Sequence, residues 1–266
     1  MANNQFAVIT GASSGIGFEL ARLFARNGFD ILITSEDAGG IGQAASTLRG
    51  EGATVTTHIA DLAHRGGTES LIAAIDGAGR PVDALAANAG FGLGGRFTET
   101  DVNVEFDMIA VNVISTTQLV KHVAQQMAAR RQGRILITGS IAGIMPGSFQ
   151  SVYNGTKAYL DNWGEAIRNE LKDQNVVVTV LMPGPTETNF FHRAEMDDTD
   201  VGQNKKMDPA PVAEAGYNAL MADDDHVVAG FKNKFQAAMA HLLPWPTVAE
   251  RHRQMAQPHS EKEAAE

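Results

Sequence analysis

Tyr153 and Lys157 are the residues of this chain whose types and spacing are best suited to moving a proton. They lie four positions apart in a segment that we predict to be helical, so their side chains project from one face. A free tyrosine has a pKa of about 10, but a neighbouring ammonium favours the phenolate and lowers that pKa. The pair therefore suits general acid–base catalysis, although spacing alone is also typical of a surface helix pair.

Two polar residues upstream, Ser140 and Asn112, bear on this interpretation. Ser140 follows a predicted strand that ends at Thr138, so its hydroxyl can hydrogen-bond a substrate oxygen at the edge of a sheet. An ordinary turn serine is the alternative. Asn112 lies in the apolar helical stretch 109–114, where a buried amide must find hydrogen-bond partners. Its local sequence favours a structural role in the core.

A glycine-rich turn, residues 11–17, lies between the first predicted strand and the first predicted helix. Gly11 permits a sharp turn, Gly15 lets the backbone approach a pyrophosphate, and Gly17 allows close packing of helix on strand. Backbone N–H groups and a helix N-terminus at such a turn bind anions. The G-x-x-x-G-x-G spacing is also compatible with a turn that holds no ligand. Its position after a strand and before a helix favours a dinucleotide site.

Polar residues end or follow four of the predicted strands, and they are Glu36, Asp61, Asn88 and Thr138. Each alone is a common turn residue. Ligands of open parallel sheets bind outside the carboxyl ends of the strands, so the series predicts one crevice. Glu36 can accept a hydrogen bond from a ribose hydroxyl and would repel a 2′-phosphate. The sequence therefore favours NAD over NADP.

Strands and helices alternate along most of the chain. The predicted strands are 6–10, 30–34, 53–59, 82–87, 133–138, 176–182 and 226–229, and the helices include 15–28, 38–49, 104–130, 151–173 and 209–222. Such alternation implies right-handed βαβ units, and strands with little polar alternation suit a sheet covered on both faces. We predict an α/β, doubly wound parallel sheet of the Rossmann type, with residues 1–266 in a single domain.

The pattern weakens after Pro183. Residues 185–208 are predicted to form a substrate loop with a short helix. An amphipathic segment follows at about 230–256, in which residues 231–243 are amphipathic and Pro244–Pro246 interrupts the pattern. This segment is expected to close the substrate pocket or to form a subunit contact.

Composition excludes several classes of function. Lys and Arg number 21 and Asp and Glu number 31, so the formal net charge is −10, which argues against nucleic acid as a partner. The absence of cysteine excludes disulfides and thiolate zinc sites, and the histidines lack metal-binding spacing, so no metal is expected. The sequence shows no signal-peptide pattern and no apolar run that spans a bilayer. A cytoplasmic protein without membrane contact is therefore expected.

Together these motifs resemble the short-chain dehydrogenase/reductase family in its common single-domain form. The resemblance covers about residues 6–188, and the matching elements in family order are 10–17, Asp61-Leu62, Asn88-Ala89-Gly90, Asn112, Ser140, Tyr153, Lys157 and Pro183-Gly184. In one departure, Ala87 replaces an asparagine that many members carry, and this change is expected to weaken a bridge between strands.

The resemblance implies a role for each catalytic residue. Tyr153 transfers the proton, and Ser140 orients the carbonyl or hydroxyl group. Lys157 binds the nicotinamide ribose and lowers the pKa of Tyr153, while Asn112 holds a water that links Lys157 to a proton relay. A homodimer or homotetramer is also implied. The expected cofactor contacts are Gly11, Ser13, Ser14, Gly15, Ile16, Gly17, Glu36, Asp61, Leu62, Asn88, Ala89, Gly90, Thr138, Tyr153, Lys157, Pro183, Gly184, Thr186 and Thr188.

These observations predict an oxidoreductase that transfers a hydride between a nicotinamide cofactor and a secondary alcohol or ketone. The substrate is expected to be apolar, with contacts from Phe91, Ser140, Ile141, Met145, Phe149 and Phe190. One alternative is reduction of a 3-oxoacyl thioester on a carrier, although this acidic chain shows no basic docking patch. A second alternative is a dinucleotide-binding regulator without turnover, since fold alone does not establish chemistry.

Overall fold

The computed structural model describes residues 5–230, 233–235 and 243–260. Seven strands form one parallel sheet in the order β3-β2-β1-β4-β5-β6-β7. The strands are β1 (Gln5–Thr10), β2 (Phe29–Ser35), β3 (Val55–Ile59), β4 (Ala84–Ala87), β5 (Gly133–Thr138), β6 (Val176–Met182) and β7 (His226–Val228).

Helices connect the strands and cover the sheet. They are α1 (Gly15–Arg26), α2 (Ala38–Gly50), α3 (Arg65–Gly77), α4 (Val102–Ile109), α5 (Thr116–Arg130), α6 (Ser151–Leu171), α7 (Phe190–Arg193), α8 (Asp200–Gln203), α9 (Pro209–Ala222) and α10 (Trp245–Ala256). A π-helical segment, Ala110–Ser115, joins α4 to α5, and single 3₁₀ turns lie at Ile141–Ile144 and Lys172–Gln174.

Successive residues of β1 point to opposite faces of the sheet, and each face is buried. Ala7 and Ile9 pack with apolar residues of α1, α2 and α9. Phe6 and Val8 pack with those of α3, α5 and α6. Strands covered on both faces carry almost continuous apolar sequences, as the sequence of β1 does. The predicted doubly wound parallel sheet is confirmed.

The strand order reverses between β1 and β4. Ile9 of β1 pairs with Ile33 of β2 on one side and with Ala86 of β4 on the other. The connections that leave β1 and β4 therefore run in opposite directions along the sheet. A crevice opens at such a switch point, outside the carboxyl ends of the strands.

Several predicted boundaries differ from the structure. Strand β3 begins at Val55 rather than at residue 53. The predicted helix 104–130 begins at Val102 and is divided by the π-helical segment. There the hydroxyls of Ser115 and Thr116 both donate to the carbonyl oxygen of Val111. A π-helical insertion of this kind frequently occurs at functional sites, and this one contains Asn112.

The C-terminal part also differs from expectation. The predicted loop 185–208 contains two short helices, α7 and α8. Pro244–Pro246 stands at the start of α10, where proline is tolerated in the first turn. The predicted amphipathic stretch 231–243 lies largely outside the described residues. Within the described ranges, no helix combines the length and the apolar character needed to cross a bilayer.

Candidate active site

The glycine turn between β1 and α1 has the close contacts that exclude side chains. Gly11 has a φ of +66°, and a Cβ there would lie 2.9 Å from the Cα of Ala89. A Cβ on Gly17 would lie 2.1 Å from the carbonyl oxygen of Gly11. Helix α1 begins at Gly15, and the side chain of its N-cap residue, Ser14, makes no capping hydrogen bond. The N–H groups at such a helix N-terminus fit the pyrophosphate of a dinucleotide.

Polar side chains connect the carboxyl ends of β1, β4 and β5. Thr10 accepts hydrogen bonds at Oγ1 from the backbone N–H groups of Asn88 and Ala89, at 3.0 and 2.9 Å. The Asn88 amide donates to the Thr10 carbonyl and accepts from the Thr138 hydroxyl, both at 3.1 Å. Residue 87 is a buried alanine in β4. Asn88 thus bridges the three strands in spite of the alanine before it.

Tyr153, Lys157 and Ser140 come together at the end of β5. Tyr153 and Lys157 are 8% and 5% exposed, and the Lys157 ammonium lies 5.9 Å from the centroid of the Tyr153 ring. That ammonium donates to the Thr138 carbonyl oxygen at 2.9 Å. The Ser140 Oγ accepts from the N–H of Ala142 and lies near the Tyr153 hydroxyl. The chain therefore brings a phenol, an ammonium and a hydroxyl to one buried point.

Burial dominates the proton affinities of this group. It raises the pKa of Tyr153, because the phenolate loses solvation, and the nearby Ser140 hydroxyl offsets only part of that rise. Burial also lowers the pKa of Lys157 to about 8. Desolvation is therefore the largest influence on the pKa of Tyr153. The expected lowering of that pKa by Lys157 stays a prediction.

Asp161 is a functional candidate that the sequence interpretation missed. It lies one helical turn beyond Lys157, and its Oδ1 accepts from the backbone N–H of Ser140 at 3.2 Å. Its Oδ2 is buried without a hydrogen-bond partner among the described residues. Burial raises the pKa of Asp161 to about 7, and the carboxylate in turn favours the charged form of Lys157. The i, i+4, i+8 spacing of residues 153, 157 and 161 was the available signal.

Asn112 is fully buried and holds two segments together. Its Oδ1 accepts from the Phe91 N–H at 3.1 Å, and its Nδ2 donates to the Phe91 carbonyl and to Thr156 Oγ1, at 2.9 and 3.0 Å. A Cβ on Gly90 would lie 2.9 Å from Asn112 Oδ1 and 3.5 Å from Lys157 Nζ. Asn112 and Lys157 therefore meet at Gly90, whose lack of a side chain keeps the space between them open.

One continuous cavity of about 390 Å³ joins the glycine turn to this group. Phe149 and Asp61 do not line it: Phe149 packs against Phe191 and Met196, and Asp61 accepts from the Ala63 N–H. The predicted cofactor and substrate contacts that do line it are Gly11, Ser13, Ser14, Gly15, Ile16, Gly17, Glu36, Leu62, Asn88, Ala89, Gly90, Phe91, Thr138, Ser140, Ile141, Met145, Tyr153, Lys157, Pro183, Gly184, Thr186, Thr188 and Phe190.

Comparison with protein-family models matches residues 5–199 to the short chain dehydrogenase family. This match covers well over half of the chain. The chain belongs to the short-chain dehydrogenase/reductase family. The resemblance drawn from the motifs is confirmed, and the glycine turn, Ser140, Tyr153 and Lys157 all lie within the matched residues.

The chain has relatives at moderate identity. It is 31% identical to an oxidoreductase of Staphylococcus saprophyticus, over 82% of this chain and 91% of that protein. It is 33% identical to the very-long-chain 3-oxoacyl-CoA reductase of Neurospora crassa, over 66% of this chain and 54% of that protein.

Solved structures resemble it over most of the chain. A short-chain dehydrogenase from Sphingobium yanoikuyae in complex with NADPH matches with a TM-score of 0.80 and 26% identity, covering 90% of this chain and 94% of that one. The bulky-bulky ketone specific alcohol dehydrogenase from Comamonas testosteroni matches with a TM-score of 0.77 and 25% identity, covering 91% and 94%.

The cavity residues that the sequence did not single out by number include Gln150, Arg193, Asn204, Lys205, His252 and Met255. Arg193, Asn204 and Lys205 lie in the predicted substrate loop 185–208, and His252 and Met255 lie in the C-terminal segment 230–256 that was expected to close the pocket or to form a subunit contact. Arg193, in α7, forms an ion pair with Glu36 at the end of β2. His252 and Met255 belong to α10, about a hundred residues beyond Tyr153 in the chain. No local pattern links these residues to the motifs, since only the tertiary fold brings them to the cavity.

Proposed function

We propose that this protein transfers a hydride between a nicotinamide cofactor and a ketone or secondary alcohol. The observation that carries the proposal is the single cavity shared by the glycine turn and the buried set Ser140, Tyr153 and Lys157. A dinucleotide held at the turn can reach the proton-transfer group without leaving that cavity. One domain would therefore carry both cofactor binding and catalysis.

The chain's own residues handle the proton and the substrate oxygen. A bound nicotinamide supplies or accepts the hydride. Ser140 orients the substrate oxygen toward Tyr153, which gives up its phenolic proton during reduction. The raised pKa of Tyr153 keeps this proton in place at neutral pH. Lys157, with a pKa of about 8, binds the ribose of the cofactor. It also returns a proton to Tyr153 through a relay on the Asn112 side of the site.

An apolar ketone is the proposed substrate. Phe91, Ile141, Met145 and Phe190 line the cavity near Tyr153, and the Phe190 ring centroid is 5.2 Å from that of Tyr153. The structural relative that acts on bulky-bulky ketones supports the same class. The test is a panel of ketones with NADH or NADPH, followed by the absorbance of the reduced nicotinamide. Apolar ketones are expected to turn over faster than charged oxo acids, and the reverse order would contradict this choice.

NAD is proposed as the favoured cofactor because Glu36 stands at the end of β2 and lines the cavity. A carboxylate there accepts from the ribose hydroxyls and repels a 2′-phosphate. The ion pair with Arg193 reduces that repulsion, so we expect a preference for NADH over NADPH rather than exclusion of NADPH.

A 3-oxoacyl thioester is the second candidate substrate. The relative from Neurospora crassa that is named a very-long-chain 3-oxoacyl-CoA reductase favours it. Against it stands the acidic composition, with a net charge of −10, because a coenzyme A or carrier phosphate is best bound by a basic patch. Reduction of acetoacetyl-CoA much faster than of simple apolar ketones would favour this candidate.

Self-association into a homodimer or homotetramer is also proposed. Val102, Phe106 and Ile114 lie at helical spacing along α4 and the π-helical segment, and Phe106 and Ile114 are 61% and 60% exposed. A row of exposed large apolar residues is typical of an interaction surface. Sedimentation of the wild type and of Phe106→Asp tests this, since a dimer is expected to dissociate in the variant.

The cytoplasmic location remains a prediction that cell fractionation can test.

A further inference from the structure

We propose that the substrate carries a hydroxyl group remote from the reacting carbon, and that Gln150 and His252 bind it. This inference rests on the proposed function and narrows the substrate class to neutral hydroxy ketones and the corresponding diols. It concerns residues that belong neither to the proton-transfer group nor to the glycine turn.

Helix α10 contacts the segment that follows Ser140. Val248 packs against Met145, and the Ala249 carbonyl accepts from the Ser148 hydroxyl at 3.0 Å. His252, one turn further along α10, bonds through Nδ1 to the Ser148 carbonyl at 2.8 Å. These contacts hold His252 against Ser148, two residues before Gln150, and both His252 and Gln150 line the cavity. Gln150 is the N-cap residue of α6 and lies three residues before Tyr153.

The bond to Ser148 fixes how the His252 ring can act. A carbonyl oxygen only accepts, so Nδ1 must carry the hydrogen. Burial lowers the pKa of His252, so the ring is neutral at pH 7 and Nε2 carries a lone pair. An unprotonated Nε2 accepts a hydrogen bond and repels a carboxylate. Lys205, a cation in the cavity lining that could attract an anion, is exposed instead.

The Gln150 and His252 side chains are alike in their burial and in their hydrogen bonding. Both are only 7% exposed, and within the described ranges neither the Gln150 amide nor the His252 Nε2 has a hydrogen-bond partner in the protein. Both residues line the cavity. Buried polar groups are normally paired, so a ligand in this cavity is the natural partner for both.

A hydroxyl group satisfies both residues at once. It donates its hydrogen to His252 Nε2 and accepts from the Gln150 amide through its oxygen. The other cavity residues near Tyr153 are mostly apolar, so this pair provides a polar anchor at a distance from the reacting carbonyl. A site built to bind a hydroxyl discriminates strongly against the analogue that lacks it, because its polar groups are then left unpaired.

The test compares matched ketones that differ by one hydroxyl. The probes are acetophenone with its three ring-hydroxylated isomers, and 4-phenylbutan-2-one with its 4-hydroxyphenyl counterpart. Both kcat/KM and the dissociation constant for the cofactor-saturated enzyme are measured. In the wild type, at least one hydroxylated probe is expected to exceed its parent by about tenfold or more. Gln150→Leu and His252→Leu are each expected to bring the ratio of kcat/KM for the hydroxylated probe to kcat/KM for its parent toward one.

Two further variants make the result specific. His252→Gln retains an amide oxygen as acceptor and is expected to recover part of the ratio. His122→Leu changes a histidine on α5 that bonds to Asp76 away from the cavity, and is expected to leave the ratio as in the wild type. Should His252→Leu fail to fold, Gln150→Leu decides, because it leaves the bond to Ser148 in place.

The outcomes separate this inference from the proposed reaction. Turnover of all ketones with no hydroxyl preference in the wild type, or a preference that both leucine variants retain, overturns the inference and leaves the reaction standing. Tighter binding of a hydroxylated probe with no turnover of any ketone supports the polar anchor and contradicts the reaction. Absence of any preference in binding or turnover also overturns the inference.

Discussion

Arg193 forms an ion pair with Glu36, and the pair connects helix α7 to the end of β2 in the lining of the cavity. This contact places a cation beside the carboxylate that we expect to select the cofactor. The two charges should have opposite effects on the choice between NADH and NADPH, because a 2′-phosphate is repelled by one and attracted by the other.

Glu36→Gln is therefore expected to lower the NADH-over-NADPH ratio of kcat/KM by about tenfold, since like charges brought together cost several kcal/mol. Arg193→Gln is expected to raise the same ratio. Steady-state kinetics with both cofactors measures the change, and Glu99→Gln serves as an exposed control. If the two substitutions shift the ratio in the same direction, the assignment of Glu36 fails.

Asp161→Asn is expected to shift the pH dependence of cofactor binding. The carboxylate favours the charged form of Lys157, whose pKa is about 8, so its removal lowers that pKa further. Lys157 of the variant then loses its positive charge, and NADH affinity falls, at a pH about one unit lower than in the wild type. Asp161 itself has a pKa near 7, so its carboxylate is present above that pH, and wild type and variant should converge below it.

Fluorescence titration of NADH across the neutral and alkaline range measures this shift. Glu165→Gln is the matched control, because Glu165 lies one turn beyond Asp161 on the same helix and is partly exposed. It influences Asp161 only weakly, so a much smaller shift is expected. Superimposable pH profiles for wild type and Asp161→Asn would remove Asp161 from the proton and charge balance of the site.

Asn112→Ala is expected to destabilise the fold as well as the site. The change leaves the Phe91 N–H and carbonyl without their side-chain partner, and each unsatisfied buried group costs about 1–3 kcal/mol. Denaturant unfolding should therefore show a loss of about 3 kcal/mol. Asn103→Ala, at an exposed position on α4, should change stability by less than about 0.5 kcal/mol. Similar stabilities for the two variants would contradict the structural role of Asn112.

Gly15→Ala and Gly28→Ala form a matched pair. Both glycines have positive φ, at +57° and +85°, so both alanines carry a backbone cost of about 1–2 kcal/mol. A Cβ on Gly15 would lie 2.8 Å from Thr188 Cγ2, whereas one on Gly28 meets nothing within 4 Å. Only Gly15→Ala is expected to weaken NADH binding, by roughly tenfold or about 1.4 kcal/mol. Equal dissociation constants for the two variants would argue against a cofactor at the turn.

Local sequence predicted those parts of the site that depend on short spacings. The glycine turn lies between β1 and α1 because strand, turn and helix each have a clear local pattern. Tyr153 and Lys157 share a helical face for the same reason. The alternation of apolar strands with helices also predicted the sheet, since strands buried on both faces leave little choice of architecture.

Quantities that depend on the assembled fold were not accessible from the sequence. The pKa of Tyr153 rises because of burial, and burial is a tertiary property. Arg193 and His252 reach the cavity from segments far from the motifs in the chain. The π-helical segment at Asn112 depends on the hydroxyls of Ser115 and Thr116, which bond to Val111, and apolar periodicity does not reveal such a local change of winding.

The most direct test of the account compares Tyr153→Phe with Tyr159→Phe, two substitutions on the same helix of which only the first removes a hydroxyl from the cavity. Ketone reduction is measured with the reduced cofactor, and NADH binding is measured separately. Tyr153→Phe is expected to bind NADH as the wild type does and to lose about 100-fold or more in kcat, while Tyr159→Phe retains activity. Comparable turnover by Tyr153→Phe and the wild type would contradict proton transfer by Tyr153 and the mechanism built on it.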